Sequence, residues 1–301
     1  MTGMTEGRIV VVTGAGGGIG RAHALLFAAE GAHVVVNDVG GSRAGEGHDA
    51  GPAQRVVDEI TAAGGSAVAN TDDISSWAGA EALVRQAIDT FGGLDVVVNN
   101  AGILRDRMMV NMSEAEWDDV LRVHLKGTFA TAHHAAVYWR EESKAGRARD
   151  AAIINTTSAS GVFGNVGQSN YGAAKAGIAA FTVITALELG RYGVTVNAVS
   201  PTALTRMTED LAGFAERRDT GGGLAPEHIS PVVVWLGSMT ARDVTGRAFG
   251  VRGTRVTVLE GWSNGPSVQR PEPWTPGELA EVMPELVAKA ATNADMSGER
   301  P

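Results

Sequence analysis

Three side chains near the middle of the chain have the types and spacing for taking a proton from an alcohol: Ser158, Tyr171 and Lys175. Tyr171 and Lys175 lie four residues apart at the start of a helical stretch, so both project from one face. A phenol of pKa ~10 is a poor base at neutral pH, and a neighbouring ammonium lowers it towards the working range. Tyr171 would then accept the hydroxyl proton, while Ser158, at a strand end, hydrogen-bonds the same oxygen and stabilises its developing charge. The chain has no cysteine, which leaves catalysis to oxygen and nitrogen groups, and no cluster of histidines and carboxylates argues for a metal.

Such chemistry needs a hydride acceptor, and the sequence offers a place to hold one. Residues 13–20 read TGAGGGIG, directly after a Val-rich run and at the opening of a helical one. There Gly14, Gly18, Ile19 and Gly20 can turn the chain sharply, admit a pyrophosphate and present a helix N-terminus to it. Asp38 follows 18 residues after Gly20, near the spacing at which a carboxylate accepts from the adenosine ribose hydroxyls. A carboxylate there repels a 2′-phosphate, so NAD is expected over NADP; Arg21, on the helix after the last glycine, reads as a solvated residue. Asp72 and Asp73 close the next strand, where one could accept from the adenine amino group or both could serve as helix N-caps. Asn99, Ala101 and Gly102 follow the fourth strand, where small residues let the backbone approach a cofactor.

The elements that must position these residues alternate regularly. Val/Ile-rich runs at 8–13, 32–38, 66–71, 94–100, 151–158 and 194–200 read as buried strands, and segments of helical period such as RAHALLFAAEG and AEALVRQAIDTFG separate them. This order predicts an α/β fold: a single Rossmann-type, doubly wound parallel sheet with helices on both faces and a C-terminal extension. The expected division is residues 1–260 for the Rossmann domain and 261–301 for the extension, which carries an amphipathic helix in PGELAEVMPELVAKAA. The glycine-rich stretch 40–54 reads as an exposed insertion. Residues 202–223 read as a short mobile helix ending in a glycine hinge.

Taken together, TGAGGGIG, NNAG, a serine thirteen residues before the tyrosine, YGAAK and SPT resemble the short-chain dehydrogenase/reductase family across residues 8–260. The strings VVVNDVGG, NNAGILRDR, VHLKGTF, SASGVFGNVGQSNYGAAKAG and TRMTEDL further resemble the (3R)-hydroxyacyl-CoA dehydrogenase unit of the multifunctional peroxisomal β-oxidation enzyme and its free-standing bacterial relatives, some of which act on steroid side-chain CoA esters. The resemblance implies Ser158, Tyr171 and Lys175 as catalytic, and the glycine turn, Asp38, Asp72, Asp73 and Asn99 as cofactor contacts. It also implies that Pro201, Thr202, Leu204 and Thr205 border the nicotinamide. Many family members have an asparagine holding a proton-relay water where this chain has His124, a side chain that can also hold a water or relay a proton, or can equally be a packed histidine satisfied by backbone. A homodimer or homotetramer through the helices around residues 114–138 and 171–192 is implied as well.

The implied function is NAD-dependent oxidation of a (3R)-hydroxyacyl-CoA, fatty or steroid-linked, to the 3-ketoacyl-CoA. A hydroxysteroid dehydrogenase acting on a free ring hydroxyl is the rival enzyme, and an NAD(H)-binding regulator the rival of another class. Arg105, Arg107, Arg206, Arg217 and Arg218 are candidates for the CoA phosphates, and Phe163, Val166 and Met207 for the acyl wall. Within 301 residues there is no room for an appended hydratase, so a separate enoyl-CoA hydratase is expected upstream. A formal charge of −9 disfavours a nucleic-acid surface. No signal peptide and no apolar stretch of membrane-spanning length stand out, which predicts a cytoplasmic protein without membrane insertion.

Overall fold

The computed structural model describes residues 3–42, 44–47, 49–203 and 223–300. All six Val/Ile-rich runs form strands: β1 (Ile9–Thr13), β2 (His33–Asn37), β3 (Ser66–Asn70), β4 (Val96–Asn99), β5 (Ala151–Thr156) and β6 (Val194–Thr202). Between them run α1 (Gly18–Ala29), α2 (Gly51–Ala62), α3 (Trp77–Phe91), α4 (Glu114–Leu121), α5 (Gly127–Lys144), the short α6 (Ala159–Val162) and α7 (Ser169–Leu189). After α8 (Ser230–Leu236) come β7 (Ala248–Arg252) and β8 (Arg255–Leu259), and α9 (Pro276–Lys289) follows.

The eight strands form one sheet in the order β3-β2-β1-β4-β5-β6-β7-β8. It is parallel as far as β7, but β8 returns antiparallel to it through a tight turn at Gly253, whose φ is +55°. The expected doubly wound parallel sheet is thus present, with β8 added as one antiparallel edge strand. AFGVR and RVTVL lack the unbroken Val/Ile run that marks the buried parallel strands, β7 being alternately buried and β8 largely exposed, and a two-residue link suffices for an antiparallel partner.

Unbroken apolar strands follow from helices on both faces. Val10, Val12, Val34, Val36, Val96 and Val98 belong to a core that includes Phe27, Val56, Ile60 and Leu236. Their neighbours Ile9, Val11, Val35, Val97, Ile153 and Val196 point the other way, to Leu83, Ala87, Ala135 and Trp139. Trp139 is buried, and its indole N–H donates to the Leu94 carbonyl at 2.7 Å, so the large ring costs no unsatisfied donor. Helix ends are fixed locally: Ser76 caps α3, and Ser113 forms a reciprocal capping box with Glu116 at the start of α4.

One expectation about hydropathy is corrected by α7. The helical stretch Ser169–Tyr192 is long and apolar enough to cross a membrane by length and composition. Here its buried side includes Ala174, Lys175, Ile178, Thr182 and Ala186, and Tyr171 and Lys175 sit in its first two turns. The length was hidden from a search for unbroken apolar runs by the polar residues of SNYGAAK.

The carboxyl ends of the parallel strands share one edge of the sheet. Strand order reverses between β1 and β4, which is where a doubly wound sheet opens a crevice for a ligand.

Candidate active site

The β1–α1 turn has the shape that a dinucleotide requires. Gly14 has a φ of +63°, and a Cβ there would lie 2.7 Å from Ala101 Cα; a Cβ on Gly20 would lie 2.2 Å from the Gly14 carbonyl. Neither collision could be relieved without moving backbone. The cap of α1 is Gly17, with no side chain bonded to the helix N-terminus, so its first N–H groups face the crevice. Asp38 stands directly after β2 and grips this turn: one carboxylate oxygen accepts from the Gly16 N–H at 2.8 Å, the other from Gly40 N–H at 2.7 Å. Its neighbours are thus Gly16 and Gly40. Arg21 is paired with Glu59 on α2 and does not lie beside Asp38 as a counter-charge. A glycine cradle, a free helix N-terminus and a carboxylate at the second strand together fit a nicotinamide dinucleotide.

Other expected contacts fall into two groups. Asp72 lies beside Asn70, whose amide donates to its carboxylate at 2.7 Å, and Asn70 is in turn tied to Asn37 and Gln86. Neither acid caps α3, because Ser76 does; Asp73 instead accepts from Ser75 and pairs with Arg122. Asn99 is buried, and its amide donates to Asn155 on β5 at 2.9 Å, so its side chain braces the sheet. The neighbouring Asn100, which the sequence reading passed over, donates to the carbonyls of Thr13 and Gly14 at 3.0 and 3.1 Å and pins the glycine turn to β4. The doubled NN was the available signal. Ala101 and Gly102 lie between this turn and His124. Pro201 and Thr202 end β6, while Leu204, Thr205, Arg206, Met207, Arg217 and Arg218 lie outside the described residues.

The structure brings Ser158, Tyr171, Lys175 and His124 together. Ser158 follows β5 and caps α6, its hydroxyl accepting the Ser160 N–H at 3.2 Å, and it stands near enough to Tyr171 to favour the ionised phenol. Lys175 Nζ lies 5.5 Å from the centre of the Tyr171 ring and donates to the Thr156 carbonyl at 2.6 Å. His124 presents its edge to Tyr171, ring centres 5.2 Å apart, from a π-helical turn (Arg122–Lys126) between α4 and α5. The ring fits because residue 102 is glycine: a Cβ there would stand 2.2 Å from His124 Cε1. His124 Nε2 is 2.8 Å from the Ile103 carbonyl, whereas its buried Nδ1 has no partner in the protein.

Burial, rather than ion pairing, governs these groups in the free protein. It pushes the Tyr171 phenol up to about 12, against the lowering effect of the nearby Ser158 hydroxyl, and draws Lys175 down to about 7. Lys175 is not among the groups that lower Tyr171 in the free protein; the expected lowering is one that Lys175 exerts together with the positive charge of an oxidised nicotinamide. Burial also holds His124 at about 3, helped by the nearby Lys175, so its imidazole is neutral at working pH.

Two arginines expected at CoA phosphates are engaged elsewhere. Arg105 pairs with Asp119 on α4 at 3.3 Å and donates to the Ala44 carbonyl at 3.1 Å; Arg107 pairs with Glu116 at 2.8 Å. Asn170, also missed by the sequence reading, is fully buried beside Tyr171; its amide donates to the carbonyls of Arg105 and Glu116, and its oxygen accepts the Tyr171 N–H. It fastens the first turn of α7 to the loop after β4. Phe163 lies after α6, and the C-terminal tail returns to it: a Cβ on Gly298 would lie 3.1 Å from its ring. Val166 is largely exposed.

A doubly wound sheet with this cradle and a Ser/Tyr/Lys centre at its carboxyl edge defines an oxidoreductase that uses a nicotinamide cofactor. The chain belongs to the short chain dehydrogenase family, whose profile matches residues 8–214. It is 44% identical over 296 residues to the hydroxyacyl-CoA dehydrogenase ChsB1 of Mycobacterium tuberculosis, covering 94% of this chain and 89% of that protein. With the peroxisomal multifunctional enzyme type 2 of Mus musculus it shares 46% identity over 77% of this chain, but spans only 30% of that longer protein. The crystal structure of a short chain dehydrogenase from Mycobacterium avium superposes with a TM-score of 0.88 at 55% identity, covering 97% of this chain and 98% of that one.

Proposed function

We propose that the protein oxidises a (3R)-hydroxyacyl-CoA to the 3-ketoacyl-CoA with NAD, and that Ser158, Tyr171, Lys175 and His124 form its catalytic group. The observation that carries the chemistry is Tyr171 with Lys175 Nζ 5.5 Å and the His124 ring 5.2 Å from its ring centre and Ser158 nearby, at the edge of the sheet where the glycine cradle opens. The names of the relatives support the acyl-CoA class. Asp38, between two backbone N–H groups and with no cation paired to it among the described residues, supports NAD over NADP.

The oxidised nicotinamide, when bound, supplies the hydride acceptor and a positive charge. The protein's own part is proton handling. Ser158 and Tyr171 hold the substrate oxygen, Tyr171 takes its proton, and Lys175 passes charge onward. His124 Nε2 donates to the Ile103 carbonyl, the shorter of its two contacts with that residue, which leaves the buried Nδ1 as a lone-pair acceptor without a protein partner. It serves as a fixed acceptor for the relay and, being neutral, does not itself store the proton. Gly14, Gly18, Ile19 and Gly20 hold the pyrophosphate, Asp38 the adenosine ribose, and Asp72 the adenine. Pro201, Thr202, Ala101 and Gly102 border the nicotinamide. Phe163 forms one wall of the acyl site, and residues 261–301 act as an extension whose tail closes over it.

We further infer a homo-oligomer in which a second copy covers the outer face of α5 and α7, where Phe129, Val183, Ile184 and Leu187 stand exposed at helical spacing. A separate enoyl-CoA hydratase supplies the substrate. Initial rates with (3R)- and (3S)-hydroxyacyl-CoA esters, a free ring-hydroxyl steroid, NAD and NADP distinguish the readings. NAD-dependent turnover of the 3R ester is expected to dominate. Turnover of the free steroid with none of any CoA ester would replace this reading by the hydroxysteroid one.

A further inference from the structure

The stretch between β2 and α2 is more than an exposed insertion. Its base is closed, since the Asp49 N–H donates to the Val39 carbonyl at 3.0 Å and Gly40 is held by Asp38. Its tip is folded by Ser42, whose N–H donates to the Glu46 carbonyl at 2.7 Å and whose hydroxyl accepts from the Glu46 N–H at 3.2 Å. The tip rests on the segment after β4. Arg105 Nε donates to the Ala44 carbonyl at 3.1 Å, and a Cβ on Gly45 would lie 3.1 Å from Ile103 Cγ2.

Strand order gives this contact its meaning. β2 and β4 flank β1, so a bridge from the end of β2 to the segment after β4 crosses the carboxyl end of β1, about 10 Å for two inter-strand spacings. The carboxyl end of β1 is where the glycine cradle opens. The bridge therefore passes over the site that the dinucleotide would occupy. Its anchor is itself well held: Arg105 pairs with Asp119 on one side, and its carbonyl accepts from Asn170, the residue that carries the Tyr171 N–H. A single residue thus touches the bridge through its side chain and the support of the catalytic tyrosine through its backbone.

We propose that the described residues of the β2–α2 stretch, 40–42, 44–47 and 49, form a strap across the cofactor cradle, that the Arg105 guanidinium latches it through the Ala44 carbonyl, and that the latch must open for the nicotinamide dinucleotide to enter or leave. Arg105 is a positioning residue and touches none of the reacting atoms. This rests on reading the glycine turn as the dinucleotide site. A charge-assisted hydrogen bond from a guanidinium to a peptide carbonyl gives roughly a tenfold effect on opening when it is removed.

The test is the rate at which NADH leaves the full-length protein, followed by its fluorescence in stopped-flow displacement with excess NAD. Arg105→Gln keeps the backbone carbonyl that Asn170 uses and removes the latch. A second variant excises residues 41–48 and joins Gly40 to Asp49, next to the point where the base of the strap is already paired. NADH release is expected to rise about tenfold in Arg105→Gln and at least as much in the excised protein, with NADH still bound by both. Release within twofold of the parent in both variants overturns the proposal, as does a lowered melting temperature with unchanged release. If the parent protein itself binds no NADH, the reading of the glycine turn fails instead.

Discussion

Tyr171 enters the reaction from an unfavourable starting point, a phenol pushed up to about 12 by burial. In the proposed reaction the substrate oxygen and the cofactor charge bring it down, which makes the hydroxyl essential to turnover and not to cofactor binding. Tyr171→Phe is expected to lower kcat by about a thousandfold, within the usual range for a general acid–base group, while NADH affinity by fluorescence titration stays within a few-fold. Loss of both together would place the tyrosine in binding rather than proton transfer. Lys175 offers a second prediction. Its folded value of about 7 lies below its ordinary 10.5, so folding excludes a proton between those values. The penalty is full below pH 7 and gone above pH 10.5. Lys175→Met should therefore raise the melting temperature of the cofactor-free protein most at pH 6 and little at pH 10.5, even as it abolishes activity; a gain that grows with pH would contradict the buried-ammonium account. The types and spacing of Ser158, Tyr171 and Lys175 were legible in the sequence because chemistry acts through side chains. Asn100 and Asn170 were not, because they act on backbone carbonyls of segments far away in sequence, and only the fold brings those carbonyls near. The same holds for Arg105: a cation near the crevice reads as a phosphate ligand until Asp119 and Ala44 are seen beside it.

At the scale of elements, the β1–α1 turn concentrates the most demanding geometry. A methyl group at residue 20 would meet the Gly14 carbonyl at 2.2 Å and the Asn100 amide at 2.5 Å. Gly20→Ala is expected to cost about 1–3 kcal/mol of stability through backbone displacement and to weaken NADH binding at least tenfold. Denaturant titration and fluorescence binding measure the two, and an unperturbed affinity would mean that the turn does not carry the pyrophosphate. Six strands and the helices between them were readable because buried parallel strands demand unbroken β-branched runs. β7 and β8 escaped notice because β8 is largely exposed and so carries no such demand. The amphipathic α9 was readable from its Pro start, and Thr275 and Glu278 add a capping box at that end. What the extension does could not be read, since its place beside Phe163 is a tertiary contact between residues 135 positions apart.

For the molecule as a whole, the outer face of α7 is the place to test the proposed assembly. Leu187 is 82% exposed in a single chain, too much for a leucine beside Ile184 and Val183 without a reason. Leu187→Glu is expected to leave the melting behaviour of the isolated chain little changed and to lower the mass found by light scattering to that of the monomer. An unchanged mass would move the interface elsewhere. The tail seated on Phe163 also has a practical consequence. Because the chain contains no cysteine, a single Ser297→Cys substitution would give one thiol, on the exposed turn that Asp295 folds through hydrogen bonds of 2.7 and 2.6 Å to Ser297. A solvent-sensitive dye attached there would sit one residue from the group packed on Phe163, making the far end of the chain an optical reporter. Its emission should shift on addition of hydroxyacyl-CoA and not of NAD alone, so that acyl binding could be timed separately from the hydride step.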